Sequence, residues 1–129
     1  MSGLEQAGVL LIMARKDLKA MQALANPDAY EPETFGFHAQ HAVEKALKAW
    51  LTVCGISYPP THSLRYLIDA LQQSGRDVSQ LWDFLELGPF AVQFRYEAYE
   101  SVELELDINV IRGRVVKLVE EVERLFGES

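Results

Sequence analysis

Hydrophobic and polar positions follow a helical period along most of the chain, and the densest apolar segment covers residues 35–54. On a helix that turns about 100° per residue, its apolar side chains cover more than half of the circumference. An ordinary surface helix buries a stripe only a little over 100° wide. The pattern therefore predicts a central helix that several others contact. Four small residues on its apolar side would permit close packing of those helices: Ala39, Ala42, Ala46 and Ala49.

The opposite side of this helix carries a narrow polar arc. Its members include two histidines and two lysines, and the full set is His38, His41, Glu44, Lys45, Lys48 and Thr52. An arc of this kind is either a solvated helix edge or the lip of a functional site.

Two further helices are predicted before and after the central one. The first spans about residues 4–25 and ends near Pro27, because proline cannot continue the backbone hydrogen-bond ladder. Thr34 is the expected N-cap of the central helix, and Gly55 its stop. After two prolines, Thr61 or Ser63 caps a third helix, whose leucines and isoleucine make an apolar stripe.

The C-terminal part predicts two more helices. The fourth begins at Asp77 or Ser79 and breaks at Gly88-Pro89, and a second helical piece then covers about residues 90–96. Residues 97–107 are acidic and read as a loop, although alternation in residues 101–108 leaves a strand as the alternative. Asp107 or a neighbouring residue caps a strongly amphipathic last helix that Gly127 ends. These elements predict an all-α, up-and-down bundle of about five helices in a single domain, residues 1–129.

Composition narrows the classes of function. The net charge of −7 argues against sequence-blind nucleic-acid binding by the whole surface, so any such contact needs a local cationic patch or a partner. No apolar run approaches the roughly 18–20 residues of a membrane span, and the start lacks the basic region of a signal peptide. The lone Cys54 is expected to be a buried small hydrophobe in a reducing, cytoplasmic protein.

Three histidines are candidates for chemistry. His38 and His41 are three residues apart, a spacing that can ligate a metal, but no second ligand motif accompanies them and no metal site is predicted. Taken alone, they favour a solvated helix edge. His62 follows Pro59-Pro60-Thr61, where a histidine either braces the loop or takes part in catalysis.

The pair Arg95-Tyr96 is more suggestive, because it ends an aromatic segment just before the acidic stretch. Arg95 could form an internal ion pair with Glu97 or Glu100. Alternatively, its guanidinium offers a bidentate fork to phosphate, with tyrosines as stacking surfaces. The sequence contains no phosphate-cradling glycine loop, no Cys-x-x-Cys and no nucleophile elbow.

Three separated motifs together resemble one known family. Residues 37–49, FHAQHAVEKALKA, are similar to the signature helix of HEPN domains (higher eukaryotes and prokaryotes nucleotide-binding). Gly55, the segment Pro59-Pro60-Thr61-His62 and the leucine-rich stripe follow in the family's order, and Arg95-Tyr96 matches its Arg-Tyr pair before the last helix. The resemblance covers roughly residues 10–126.

The resemblance implies a bundle of four to five helices, usually a homodimer. Prokaryotic members are often encoded beside a minimal nucleotidyltransferase and act with it as a toxin–antitoxin pair. Many members are metal-independent ribonucleases with an arginine, four to six intervening residues and a histidine. Here the matching positions after Arg95 hold Glu100, Ser101 and Val102, so the motif lacks the imidazole that would carry the proton.

The resulting expectation is a HEPN-like protein that binds nucleotide or RNA phosphate in a dimer cleft, without a cofactor and together with a nucleotidyltransferase. The binding residues implied are Arg95, Tyr96, His41, Lys45, Lys48 and His62. Enzymatic activity stays open, with Arg95 and His62 as catalytic candidates. The alternatives are an endoribonuclease in which His41 or His62 replaces the missing histidine, and a non-catalytic interaction module.

Overall fold

Four α-helices and one 3-10 helix account for the regular structure of the chain. The structure is a computed structural model, and it describes residues 2–26, 28, 31–91 and 107–129. The α-helices are α1 (Gly3–Leu24), α2 (Pro32–Val53), α3 (Leu64–Gln73) and α4 (Ile108–Gly127), and the 3-10 helix spans Trp82–Phe90. No strand occurs in these described ranges. The predicted all-α bundle is therefore confirmed.

Helix α2 is the centre of the bundle, because α1, α3, α4 and the 3-10 helix all pack against it. Eleven of its residues are buried, which includes the four alanines of the predicted packing surface at positions 39, 42, 46 and 49. Small side chains at these positions let the neighbouring helices approach α2 closely while keeping high helix propensity. The predicted central helix is confirmed.

The helices α1 and α4 close the bundle on the remaining sides of α2. Each presents one buried row at helical spacing, Ala7, Leu11, Ala14, Leu18 and Met21 on α1, and Ile111, Val115, Leu118, Val119 and Val122 on α4. Arg15 of α1 forms an ion pair with Glu123 of α4, which raises the pKa of the guanidinium through its hydrogen bonds to the carboxylate. The two terminal helices are thus joined by apolar burial and by one pair of charges.

Side-chain caps begin α3 and α4 as the sequence indicates, whereas α2 begins without one. Ser63 caps α3 by accepting the backbone N–H of Tyr66 at 3.2 Å, and Asp107 caps α4 by accepting that of Asn109 at 2.8 Å. The predicted cap at Thr34 is wrong. Helix α2 begins earlier, at Pro32 after Glu31, because proline's fixed φ and missing N–H suit the first helical position.

The fourth element differs from its prediction in type. The expected α-helix with a break at Gly88-Pro89 is instead a turn at residues 79–81 followed by a 3-10 helix that runs through Pro89. A 3-10 helix has three residues per turn, so every third side chain faces the same way. The buried residues follow this period: Val78, Leu81, Phe84, Leu87 and Phe90. Beyond Ala91, the predicted continuation to Tyr96 and the acidic stretch lie outside the described residues.

Cys54 is not the buried hydrophobe that its position on the apolar side predicts. It lies just past the end of α2 and is only half-buried. Its sulfur accepts a hydrogen bond from the Arg76 guanidinium at 3.3 Å. Among the described helices, none is long and apolar enough to cross a membrane.

Candidate functional site

The polar arc of α2 is not a fully solvated edge, because its basic side chains bind two carboxylates that are themselves mostly buried. One carboxylate belongs to Asp17 of α1, and the other to Glu44 of α2 itself. The side chains of His38, Lys45 and Lys48 are each mostly covered by their surroundings. Pairing with a carboxylate, and not hydration, therefore accounts for His38, Lys45 and Lys48 on this side of the central helix.

Asp17 connects α1 to the arc. Its two carboxylate oxygens accept one bond each, from the Lys45 ammonium at 2.7 Å and from Nδ1 of His38 at 2.9 Å. Sequence reasoning missed Asp17 because three basic residues surround it in the chain. A signal was present, since position 17 lies three residues after buried Ala14 and four before buried Met21, at the edge of the buried row of α1.

Glu44 is the second carboxylate, and it holds a residue from another element. It accepts from the Lys48 ammonium at 3.0 Å and from Nδ1 of His62 at 3.0 Å. Gln40, one turn earlier on α2 and wholly buried, donates to the His62 backbone carbonyl at 3.2 Å. The oxygen of the Gln40 amide is buried and has no hydrogen-bond partner among the described residues. Side chains of α2 thus bind both the backbone and the imidazole of His62.

The geometry determines which ring nitrogen of His62 is available. A carboxylate can only accept, so Nδ1 carries the proton and Nε2 of the neutral ring is left with a lone pair. The His62 side chain is 72% exposed, whereas that of Glu44 is 4% exposed. A carboxylate behind an imidazole fixes its tautomer and orientation. Such a group can accept a proton, or bind an anion when protonated.

His41 has a different environment. Its Nε2 lies 3.0 Å from the carbonyl oxygen of Ala91, which can only accept, so Nε2 carries the proton. The His41 ring packs on Phe37, with centroids 4.3 Å apart, and lies 6.1 Å from the His62 ring. His41 therefore fixes the chain at Ala91 and lies beside His62.

A second contact holds the same point of the chain. The ring of Phe90 lies directly over Gly36, where a Cβ would come within 2.3 Å of the ring. Glycine is therefore required for this approach of the 3-10 helix to α2. Gly36 is not predictable from the sequence, because its partner Phe90 is distant in the chain. Gln40 belongs to the signature-like motif of residues 37–49, but its bond to His62 is visible only in the fold.

The structure brings together His41, Lys48 and His62 of the predicted site, and Lys45 lies on the same arc through Asp17. Arg95 and Tyr96 lie outside the described residues. Within the residues that are described, no group of three or more His, Cys, Asp or Glu side chains is arranged to hold a metal ion.

Two clefts lie elsewhere on the described surface. One of about 640 Å³ lies beside Trp50 and the 3-10 helix, where Asp83 pairs with Arg114 of α4. The other, of about 790 Å³, lies between α1 and α4 and is mainly apolar. Neither cleft is lined by the histidines or lysines of the α2 arc. We place the candidate site at His62 on its chemistry, since cleft size alone identifies no reactive group.

Comparison with known proteins identifies the family of this chain. A family model described as HEPN domain matches residues 7–127, which is most of the chain. Neither the curated proteins nor the solved structures include a significant match.

Proposed function

The chain belongs to the HEPN family, and from this premise we propose that it binds the phosphate of a nucleotide or an RNA through His62 and Arg95. The proposed site lies in a cleft of a homodimer and needs no cofactor. The family assignment supports a nucleotide- or RNA-related function. The arrangement of His62 supports its location, because this exposed imidazole is held from behind by a buried carboxylate.

One observation carries the proposal: α2 binds both His62 and Ala91, and Ala91 lies four residues before Arg95 in the chain. His41 binds Ala91, and the rings of His41 and His62 are 6.1 Å apart. Arg95 follows Ala91 by four residues, a length of chain that spans at most about 14 Å. This connectivity supports one local cationic patch from His62 and Arg95 on a chain whose net charge is −7.

The lysines have an indirect role in this proposal. Lys45 and Lys48 neutralise Asp17 and Glu44, so that these carboxylates do not repel a phosphate near His62. The direct contacts to the phosphate are proposed for two residues. They are His62, which binds anions when protonated, and Arg95, whose guanidinium binds in a bidentate way. Tyr96 is proposed as a stacking surface for a base, and His41 as the residue that holds Ala91 in place.

We also propose that the protein acts in the cytoplasm with a minimal nucleotidyltransferase, as one half of a toxin–antitoxin-like pair. The resemblance of the signature helix and of Arg95-Tyr96 to HEPN proteins of that class supports this pairing. Expression with the nucleotidyltransferase encoded beside it, followed by tandem purification, tests the proposal. Recovery of the two proteins in separate fractions at low salt would reject the pairing.

Fluorescence anisotropy with a labelled single-stranded RNA tests the phosphate site. We expect His62→Gln and Arg95→Ala each to weaken binding about tenfold, since each removes a charge-assisted contact of about 1.5 kcal/mol. Lys117→Gln is the matched control, because it removes an exposed positive charge from α4. Equal affinity for all four proteins would reject the proposed site, and an absence of RNA binding by the native protein would favour the interaction module.

A second candidate function, a metal-independent endoribonuclease, is favoured by the Glu44–His62 geometry. In this reaction Nε2 of His62 takes the proton of a ribose 2′-hydroxyl while the 2′-oxygen bonds to phosphorus. The bond from phosphorus to the 5′-oxygen then breaks, and that oxygen takes a proton from solvent. The products are a 2′,3′-cyclic phosphate and a 5′-hydroxyl.

Cleavage of RNA in the presence of a chelator tests this second candidate. Activity that is lost in His62→Gln and kept in Lys117→Gln would support His62 as the proton carrier. Intact RNA after prolonged incubation with the native protein, under conditions in which it binds RNA, would reject cleavage and leave the binding function standing.

A further inference from the structure

One aromatic side chain, Phe37, lies within the polar arc of α2. It precedes His41 by one helical turn, so the two positions fall within about 40° of each other around the helix. Phe37 is only partly buried, and it is not among the described side chains that pack against the hydrophobic core. Its ring instead contacts the rings of His38 and His41. Core packing among the described residues therefore does not account for a phenylalanine at this position.

Phe37 links the histidines into a continuous row of rings. The order is His38, Phe37, His41 and His62, and we call these four side chains the ring row. Successive ring centroids are 5.2 Å, 4.3 Å and 6.1 Å apart, which are distances of rings in contact. The ring row therefore runs across the polar arc, from the side that faces α1 to the exposed imidazole of His62.

The two ends of the ring row have the same construction. At each end, a mostly buried carboxylate accepts from one lysine ammonium and from Nδ1 of one histidine: Asp17 binds Lys45 and His38, and Glu44 binds Lys48 and His62. The lysine offsets the charge of the carboxylate, so each end becomes positive when its imidazole is protonated. As in His62, Nδ1 of His38 carries the proton and Nε2 of the neutral ring has the lone pair. The His38 side chain is 24% exposed, so this end is less open than the His62 end but is not enclosed.

The alternation of these groups matches one class of ligand. A single-stranded nucleic acid alternates anionic phosphates with planar bases. The bases stack on aromatic side chains, and the phosphates bind cationic ones. The ring row offers an imidazole at each end and a phenyl ring between them. A nucleoside monophosphate has one phosphate group and can occupy only one end, and the paired bases of a duplex are not available to stack on Phe37.

We propose that the ring row binds a single-stranded RNA, with one base stacked on Phe37 and the phosphates on the two sides of that base at His62 and His38. This inference rests on the proposed function, because His62 is the phosphate-binding residue of that proposal. It goes further by assigning a base-stacking residue and a second phosphate contact. It also makes a strand, and not a mononucleotide, the preferred ligand.

Removal of the bases from the ligand tests the stacking on Phe37. Fluorescence anisotropy compares a labelled single-stranded RNA with a strand of the same length that keeps the ribose–phosphate backbone but carries no bases. We expect the native protein to bind the RNA at least about tenfold more tightly, although the two strands have the same charge. Phe37→Leu should weaken RNA binding about tenfold and leave binding of the base-free strand unchanged. Phe126→Leu is the matched control, since Phe126 is also half-buried but lines the α1–α4 cleft.

A second variant tests the phosphate contact at His38. We expect His38→Gln to weaken binding of both strands about tenfold, because it removes a charge-assisted contact to the backbone. It should leave unchanged the affinity for a nucleoside monophosphate, measured by competition. Lys117→Gln again serves as the control for loss of a positive charge, and circular dichroism of each variant checks that its helices are intact.

The outcomes separate this inference from the proposed function. Equal affinity of the native protein for the two strands, or RNA binding that Phe37→Leu leaves unchanged, would overturn stacking on Phe37 while the phosphate site at His62 stands. RNA binding that His38→Gln leaves unchanged would overturn the second phosphate contact. RNA binding that does not depend on His62 would reject the phosphate site, and this inference with it.

Discussion

His62 donates its Nδ1–H to the carboxylate of Glu44 at 3.0 Å, across 18 positions of the sequence. The acceptor is almost wholly buried in the centre of α2, whereas the imidazole is mostly exposed. The same carboxylate also binds the ammonium of Lys48. A charge inside the bundle therefore orients a titratable group on its surface, and the stability of the bundle and the chemistry of His62 depend on one residue.

Replacing Glu44 should be costly for stability. We expect Glu44→Gln to lower the free energy of unfolding by about 3 kcal/mol, because Lys48 would be left mostly buried without an opposite charge. Lys48→Met should also destabilise the protein, but the double variant should cost less than the sum, with a coupling of about 1–3 kcal/mol. Urea unfolding of the four proteins measures the cycle. Additive effects would mean that the pair contributes no net interaction.

Alanine substitutions at two helical glycines separate the effect of tight packing on stability from the effect of helix propensity. Gly36→Ala should destabilise the protein by about 1–3 kcal/mol, because the new Cβ collides with the Phe90 ring. Gly113→Ala is the matched control, since Gly113 also lies inside a helix but has open space around it. There alanine should stabilise by about 0.5–1 kcal/mol through its helix propensity. Thermal unfolding that moves in the same direction for both variants would contradict the packing of Phe90 on Gly36.

The C-terminal end of α4 should show a measurable acid titration. The Arg124 guanidinium, which donates to the Glu121 carboxylate, holds the pKa of Glu121 below its ordinary value of 4.5. A carboxyl whose pKa falls on folding stabilises the protein above its unfolded pKa, and this contribution is lost as the pH falls through the folded pKa. The loss is therefore expected below about pH 4.5. NMR titration of the native protein and of Arg124→Gln measures it, and an unchanged Glu121 pKa in the variant would refute the cause.

Arg95 should be dispensable for folding if it serves an anion. We expect Arg95→Ala to keep the helical circular dichroism signal and to lie within about 0.5 kcal/mol of the native stability, as is usual for a side chain that serves a bound ligand and not the packing of the fold. The same variant should bind RNA more weakly. Unfolding of Arg95→Ala would instead identify Arg95 as a structural ion-pair residue, the alternative that the neighbouring Glu97 and Glu100 leave open in the sequence.

The helical elements were largely predictable because their signals are local. The apolar residues of α4 recur at helical spacing, and the caps at Ser63 and Asp107 are read from side chains next to the helix they begin. The 3-10 helix is the exception. Its period of three, from Val78 to Phe90, is present in the sequence. Gly88-Pro89 nevertheless predicts a break, whereas the 3-10 helix runs through both residues.

The sequence by itself determined the family, the central helix and the composition of its polar arc, because periodicity and short motifs depend on neighbours a few residues apart. Only the tertiary structure decided which residues pair with the side chains of the polar arc. Asp17 binds His38 and Lys45, and Glu44 binds Lys48 and His62. These partners come from different helices and loops, and the free energy of burying a charge depends on which opposite charge the fold brings within hydrogen-bond distance.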